Sequence, residues 1–179
     1  RLSAQLLSDY EQIRSLLKKD PQLLSDLPAY SNELTLTPTQ MLEKLPKLMA
    51  KDFPQLEKVT YELRSVHPSI KSFLSPAFYL TPPTDTQNPN IIYINDSGRT
   101  TSLELFGTLA HEGFPGHLYQ TVFFGRTSPS DIRYLVTSSG YVEGWATYVE
   151  SYGYEYAAAL MKNSAAAGNA VRLAWLNRS

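Results

Sequence analysis

The sequence predicts a mainly helical α+β domain carrying a small antiparallel β-sheet. Three observations predict it. Apolar residues recur at three- and four-residue steps over most of the chain, which is helical spacing. The spacing switches to alternation at Lys58, and short β-rich runs follow as far as Asn95. Hydroxyl-capped helix starts at Thr37 and Thr101 flank that region. At 179 residues, 42% of them hydrophobic, the chain is long and apolar enough for one globular domain with its own core. Residues 1–57 read as a helical lead-in, 58–99 as the small sheet, and 100–179 as a second helical part.

Leu2, Leu6, Leu7, Tyr10, Ile13, Leu16 and Leu17 form the stripe of an amphipathic helix. Asp20-Pro21 ends it and opens a shorter helical turn through Leu24. Thr37-Pro38 pairs a hydroxyl cap with proline at the first helical position. Met41, Leu42, Leu45, Leu48 and Met49 give that helix its apolar face, with Pro46 placed to bend it. Val59, Tyr61 and Leu63 then alternate with Thr60, Glu62 and Arg64, the pattern of a strand. Ala77 to Leu80 is a second strand, and residues 81–90 form a turn-rich loop. Ile91 to Asn95 is the third strand. It reads equally as an ordinary sheet strand or as an edge that pairs with an extended peptide.

Thr101-Ser-Leu-Glu104 has the capping-box pattern, and Leu103, Phe106 and Ala110 continue one helical face. Ser128-Pro129 starts a further helix. The stretch from Tyr141 is helical despite Gly144 and Gly153, and a last helix runs from Ala157 to Asn177.

The formal net charge is −1 without a long basic run, which argues against nucleic acid and anionic membrane as partners. There is no cysteine, so no disulfide framework and no thiolate metal site. No apolar stretch approaches the ~20 residues of a membrane span. The chain opens at Arg1 inside a helical pattern and reaches Ser179 without a Gly or Pro stop, so it reads as a piece of a longer protein. On that reading, Val171, Leu173, Trp175 and Leu176 lie exposed or against a second copy. The sequence assigns no compartment.

The chemistry concentrates in His-Glu-Gly-Phe-Pro-Gly-His, His111 to His117, and in Glu143-Gly-Trp-Ala-Thr-Tyr-Val-Glu150. Two of the three histidines flank a carboxylate. Six residues on a straight helix leave two side chains about 120° apart, so an undistorted helix does not aim both imidazoles at one metal. Pro115 lacks an N–H and its ring clashes with the carbonyl four residues back. Gly113 and Gly116 are free to take positive φ. A break over Gly-Phe-Pro-Gly therefore brings His117 round toward His111. Glu143 is then the third zinc ligand, leaving one position open. Glu112, next to a ligand, is placed to take a proton from the attacking water and deliver it to a leaving amine. The bland alternative is a helix end at Gly113 with incidental histidines, and Glu143 as a solvated carboxylate.

Glu150 returns to the Glu143 face within about 20° after seven residues and is one candidate to orient a ligand histidine. Glu104 competes for that role. Tyr148 or Tyr152 is a candidate oxyanion donor. Gln120 is a candidate contact to substrate or backbone. His67, before Pro68, reads as a structural strand-end residue.

These blocks carry a resemblance. His-Glu, two variable residues, Pro-Gly-His and a glutamine three further on match His111 to Gln120. Glu-Gly-Trp-Ala with a following tyrosine and glutamate matches Glu143 to Glu150. Tyr79, Pro82, Pro83 and Ile92-Tyr-Ile-Asn95 look like the lead-in. The chain thus resembles the bacterial family catalogued as domain of unknown function 885, from about Val59 to Arg178. The resemblance implies a zincin-like fragment of a gluzincin-like zinc metallopeptidase, similar in plan to the thimet oligopeptidase and carboxypeptidase Taq families. Those families space their histidines four apart, so the likeness bends at Pro115-Gly116. The resemblance also implies members much longer than this chain, with further helices that complete the site.

The expected function is a zinc-dependent peptidase in which metal-activated water hydrolyses a peptide bond. The rivals are a non-catalytic helical protein braced by the metal, and a metallohydrolase acting on a non-peptide amide or ester.

Overall fold

A computed structural model describes residues 2–22, 25, 34–161 and 164–178. Helix α1 spans Leu2–Lys19 and α2 spans Pro38–Leu48. The turn expected to run through Leu24 lies outside the described residues. Thr37 and Gln40 cap α2 reciprocally, side chain to backbone in both directions. Pro46 is accommodated near the end of α2, where the chain tightens into a 3₁₀ turn over Met49–Lys51.

Strands β1 (Glu62–Ser65), β2 (Ala77–Leu80) and β3 (Ile91–Ile94) form a sheet in the order β1-β3-β2. β3 pairs antiparallel with β2 but parallel with β1. The sheet is therefore mixed, not antiparallel. β3 lies at its centre, so Ile91 to Asn95 is not a free edge. Its unalternated Ile-Ile-Tyr-Ile run is the signature of a strand covered on both faces, with Ile91 and Ile92 buried. The Asn95 amide donates to the Lys71 and Leu74 carbonyls and pins the 3₁₀ turn Pro68–Phe73, so it is a structural residue. His67 caps that turn through the Ser69 N–H. β1 begins at Glu62 and not at Val59, because its pairing with β3 begins with Glu62 opposite Ile91.

Helices α3 (Ser102–Glu112), α4 (His117–Arg126), α5 (Ile132–Leu135), α6 (Ser139–Leu160) and α7 (Ser164–Arg178) follow. Ser128-Pro129 does not start a helix. Ser128 takes a left-handed φ of 49° and donates back to Gly125, closing α4. The helix expected from Ala157 to Asn177 is divided. α6 carries its first residues and ends at Met161, whose extended backbone turns the chain into α7.

The packing of α3 on α6 organises the site, and small residues set its closeness. A Cβ on Gly153 would lie 2.5 Å from the Ala110 Cβ, and one on Gly107 would lie 3.0 Å from the Tyr154 ring. Tyr154 is buried and packs against Trp175 of α7 at 5.7 Å between ring centroids. α7 in turn packs on α1. Val171, Leu173 and Trp175 are thus buried within the chain's own core, and Leu176 is partly covered. The apolar face expected to be exposed is accordingly covered by the chain itself.

Candidate metal centre

The break between α3 and α4 is what brings the two histidines together. His111 is in the last turn of α3, and His117 is the first residue of α4. Gly113 caps α3 by donating to Leu109, and the Phe114–Pro115 peptide is cis. Both glycines have negative φ, −106° at Gly113 and −77° at Gly116, so positive φ is not the reason for them. Space is the reason. A Cβ on Gly116 would lie 1.7 Å from the His111 carbonyl oxygen, and one on Gly113 would lie 2.6 Å from Leu42 and 2.8 Å from the Leu109 carbonyl oxygen. The Trp145 indole N–H donates to the Pro115 carbonyl at 2.9 Å and ties the break to α6. The histidine rings end 4.8 Å apart, nearly perpendicular.

α6 supplies the third side chain. Glu143 places one oxygen 3.5 Å from His111 Nε2 and the other 3.5 Å from His117 Nε2. One donor atom from each of the three residues fits within a 4.8 Å cluster. Nitrogen and oxygen donors at zinc distances of about 2.0–2.2 Å, arranged tetrahedrally, sit about 3.4 Å from one another. The two histidine–glutamate separations, each to a different Glu143 oxygen, are near that edge, so the three residues lie close enough together to hold a metal ion. Glu143 is 60% exposed, which leaves the cluster open to solvent on one side.

The Glu150 carboxylate fixes the His111 ring. Its Oε2 lies 3.1 Å from His111 Nδ1, so Nδ1 carries the proton and Nε2 keeps its lone pair toward the cluster. Glu150 is 3% exposed and its other oxygen accepts from Arg178 Nε. Glu104 does not share this role. Its carboxylate accepts from the Thr101 N–H and hydroxyl and is consumed in capping α3.

Glu112 is held by a backbone donor, the Tyr79 N–H of β2, at 2.9 Å from its Oε2. Burial raises its pKa above the ordinary carboxylate value, and the Glu143 and Glu150 carboxylates push the same way against the Tyr79 hydrogen bond and His111. At His111 burial is the largest single influence and lowers the pKa. The Glu150 hydrogen bond and the surrounding carboxylates together outweigh it, and the net shift is upward. His117 is lowered, by burial first and by His111 second.

These opposite shifts set a pH dependence. Metal needs both imidazoles neutral, and His117 already is at the pH where His111 loses its proton. Zinc affinity should therefore fall below a midpoint above the ordinary histidine value of about 6.5, at first by about tenfold per pH unit, one proton per metal. Titration calorimetry in several buffers counts those protons. Two protons released together below about pH 6.5 would contradict the assignment.

The two tyrosines lie on another face of α6. Tyr148 and Tyr152 follow Glu143 by five and nine residues, about 140° and 180° round α6. Their hydroxyls pair with each other at 3.0 Å, and their rings pack on Trp145 and Phe53. Both hydroxyls are therefore engaged with each other. Gln120 follows His117 by one turn, and its buried amide nitrogen has no partner among the described residues. Three contributions went unassigned from sequence: the Tyr79 N–H, the Trp145 indole and Arg178. A tryptophan inside the Glu143 block was a usable signal. A backbone donor and a distant arginine offered none.

Fold and site together define a mainly helical protein with a small mixed sheet and a two-histidine, one-glutamate cluster at a broken helix. The chain belongs to the family described as bacterial protein of unknown function (DUF885), whose sequence pattern matches residues 1–174. Its fold is similar to that of a crystal structure from Colwellia psychrerythraea described as a "putative lipoprotein", with a TM-score of 0.61 at 24% identity. The match covers 88% of this chain and 25% of that one, so the chain spans about a quarter of that protein's length. No protein of the curated set matches.

Proposed function

We propose that this chain carries the metal site of a zinc-dependent peptidase of gluzincin type. The observation behind the proposal is the placement of Glu112 beside a three-residue donor set that remains open to solvent at Glu143. His111, His117 and Glu143 hold the ion. Zinc in such a site supplies a Lewis acid for the scissile carbonyl and makes water a nucleophile near neutral pH. Glu112 accepts the proton of the attacking water and passes it to the leaving nitrogen. The Tyr79 N–H fixes one oxygen of that carboxylate and leaves the other without a hydrogen bond to Tyr79.

A purely bracing metal takes four protein ligands, whereas a catalytic one keeps a position for water, so a fourth protein ligand on the ion would favour bracing. Among the described residues three side chains gather. The two enzyme readings separate on substrate. A mixed fluorogenic peptide library should be cleaved by the zinc-loaded protein and spared after chelation. Cleavage of simple esters or non-peptide amides with no peptide turned over would reject the peptidase reading in favour of another metallohydrolase.

A further inference from the structure

We propose that Arg178 is a positioning residue for the metal centre, acting on His111 through Glu150. The inference rests on the metal-site reading above. Glu150 is buried, and a buried carboxylate needs partners for both oxygens. It has one on each: His111 Nδ1 on Oε2 and Arg178 Nε on Oε1. The arginine comes from the last turn of α7, 28 residues further along, and its side chain is 43% exposed. It therefore reaches in from the surface to a carboxylate that α6 alone would leave with a single anchor.

Two anchors on opposite oxygens fix the plane of a carboxylate, where one lets it rotate. The Glu150 plane sets the direction of the His111 Nδ1–H bond, hence the ring plane and the direction of the Nε2 lone pair. Arg178 is thus the outermost member of a chain running Arg178, Glu150, His111. Its guanidinium also pairs with Glu150 as an ion pair at depth. Through it, the docking of α7 on α6 is coupled to the aim of a metal ligand.

The test compares Arg178→Gln with Arg178→Lys in the whole protein. Removing a group that orients a metal-bound histidine typically costs 10- to 100-fold in metal affinity, and Arg178 acts one residue further out. Zinc affinity by chelator competition should therefore fall by about tenfold in Arg178→Gln, and Arg178→Lys should recover most of it. The melting temperature of the metal-free variants separates lost aim from lost fold. A second readout needs no metal: the ¹⁵N imidazole spectrum of His111. The metal-free wild-type protein should show one fixed tautomer protonated at Nδ1. Arg178→Gln should show averaging between tautomers, and Arg178→Lys should restore the single form. Wild-type affinity and an unchanged His111 spectrum in Arg178→Gln would overturn the proposal. A wild-type protein that binds no zinc, yet shows the tautomer change, would reject the metal reading while upholding the arginine's role.

Discussion

Glu112→Gln is expected to keep its zinc and lose about 10²- to 10⁴-fold in kcat, the range for removing a general base. The amide has nearly the shape of the carboxylate and can still accept from the Tyr79 N–H that holds Glu112 at 2.9 Å. It cannot accept the proton of a water. Glu112 is not among the three donors, so the affinity for zinc should change little. Steady-state kinetics on a cleaved peptide and a chelator-competition titration check the two halves separately. Normal turnover in the variant would remove Glu112 from the mechanism even with zinc in place. Lost zinc would instead make it a ligand.

Gly116→Ala is the second large effect. The added Cβ would meet the His111 carbonyl oxygen at 1.7 Å and the Ala110 carbonyl oxygen at 2.4 Å. Both are backbone atoms of α3, so relief requires the break itself to open. Opening it moves His117 away from His111. We expect a stability loss of about 3–5 kcal/mol, at the upper end for single substitutions, together with a fall in zinc affinity. Denaturant unfolding of the metal-free protein and zinc titration measure these. Gly144→Ala is the matched control, because nothing lies within 4 Å of a Cβ at that position. Equal behaviour of the two variants would show that the tight turn is not what positions His117.

The site was legible in sequence to the extent that covalent geometry speaks locally. Pro115 between two glycines announced a broken helix, and the 120° mismatch between His111 and His117 required one. The reason for the glycines was misread. What they provide is room against the His111 and Leu109 carbonyls, and only the folded chain reveals which atoms would collide. The choice of Glu150 over Glu104 was open by helical periodicity alone. The capping box at Thr101 already committed the Glu104 carboxylate, so the information was there in the local pattern. Tyr148 and Tyr152 share a helix with Glu143, but the angle between them places the tyrosines on a different face. Sheet order was not legible from the strands taken singly, because β1 and β3 pair across the whole of β2. The Tyr79 N–H and Arg178 depend on tertiary approach and leave no mark on local sequence.

The central claim is that His111, His117 and Glu143 bind one zinc ion. Anomalous scattering from crystals of the protein, collected on both sides of the zinc absorption edge, tests it most directly. The account predicts a single strong peak between the two imidazoles and the Glu143 carboxylate, at about 2.0–2.2 Å from one atom of each. Protein prepared at neutral pH with zinc in excess that shows no peak there, or a peak ligated by other residues, would contradict it.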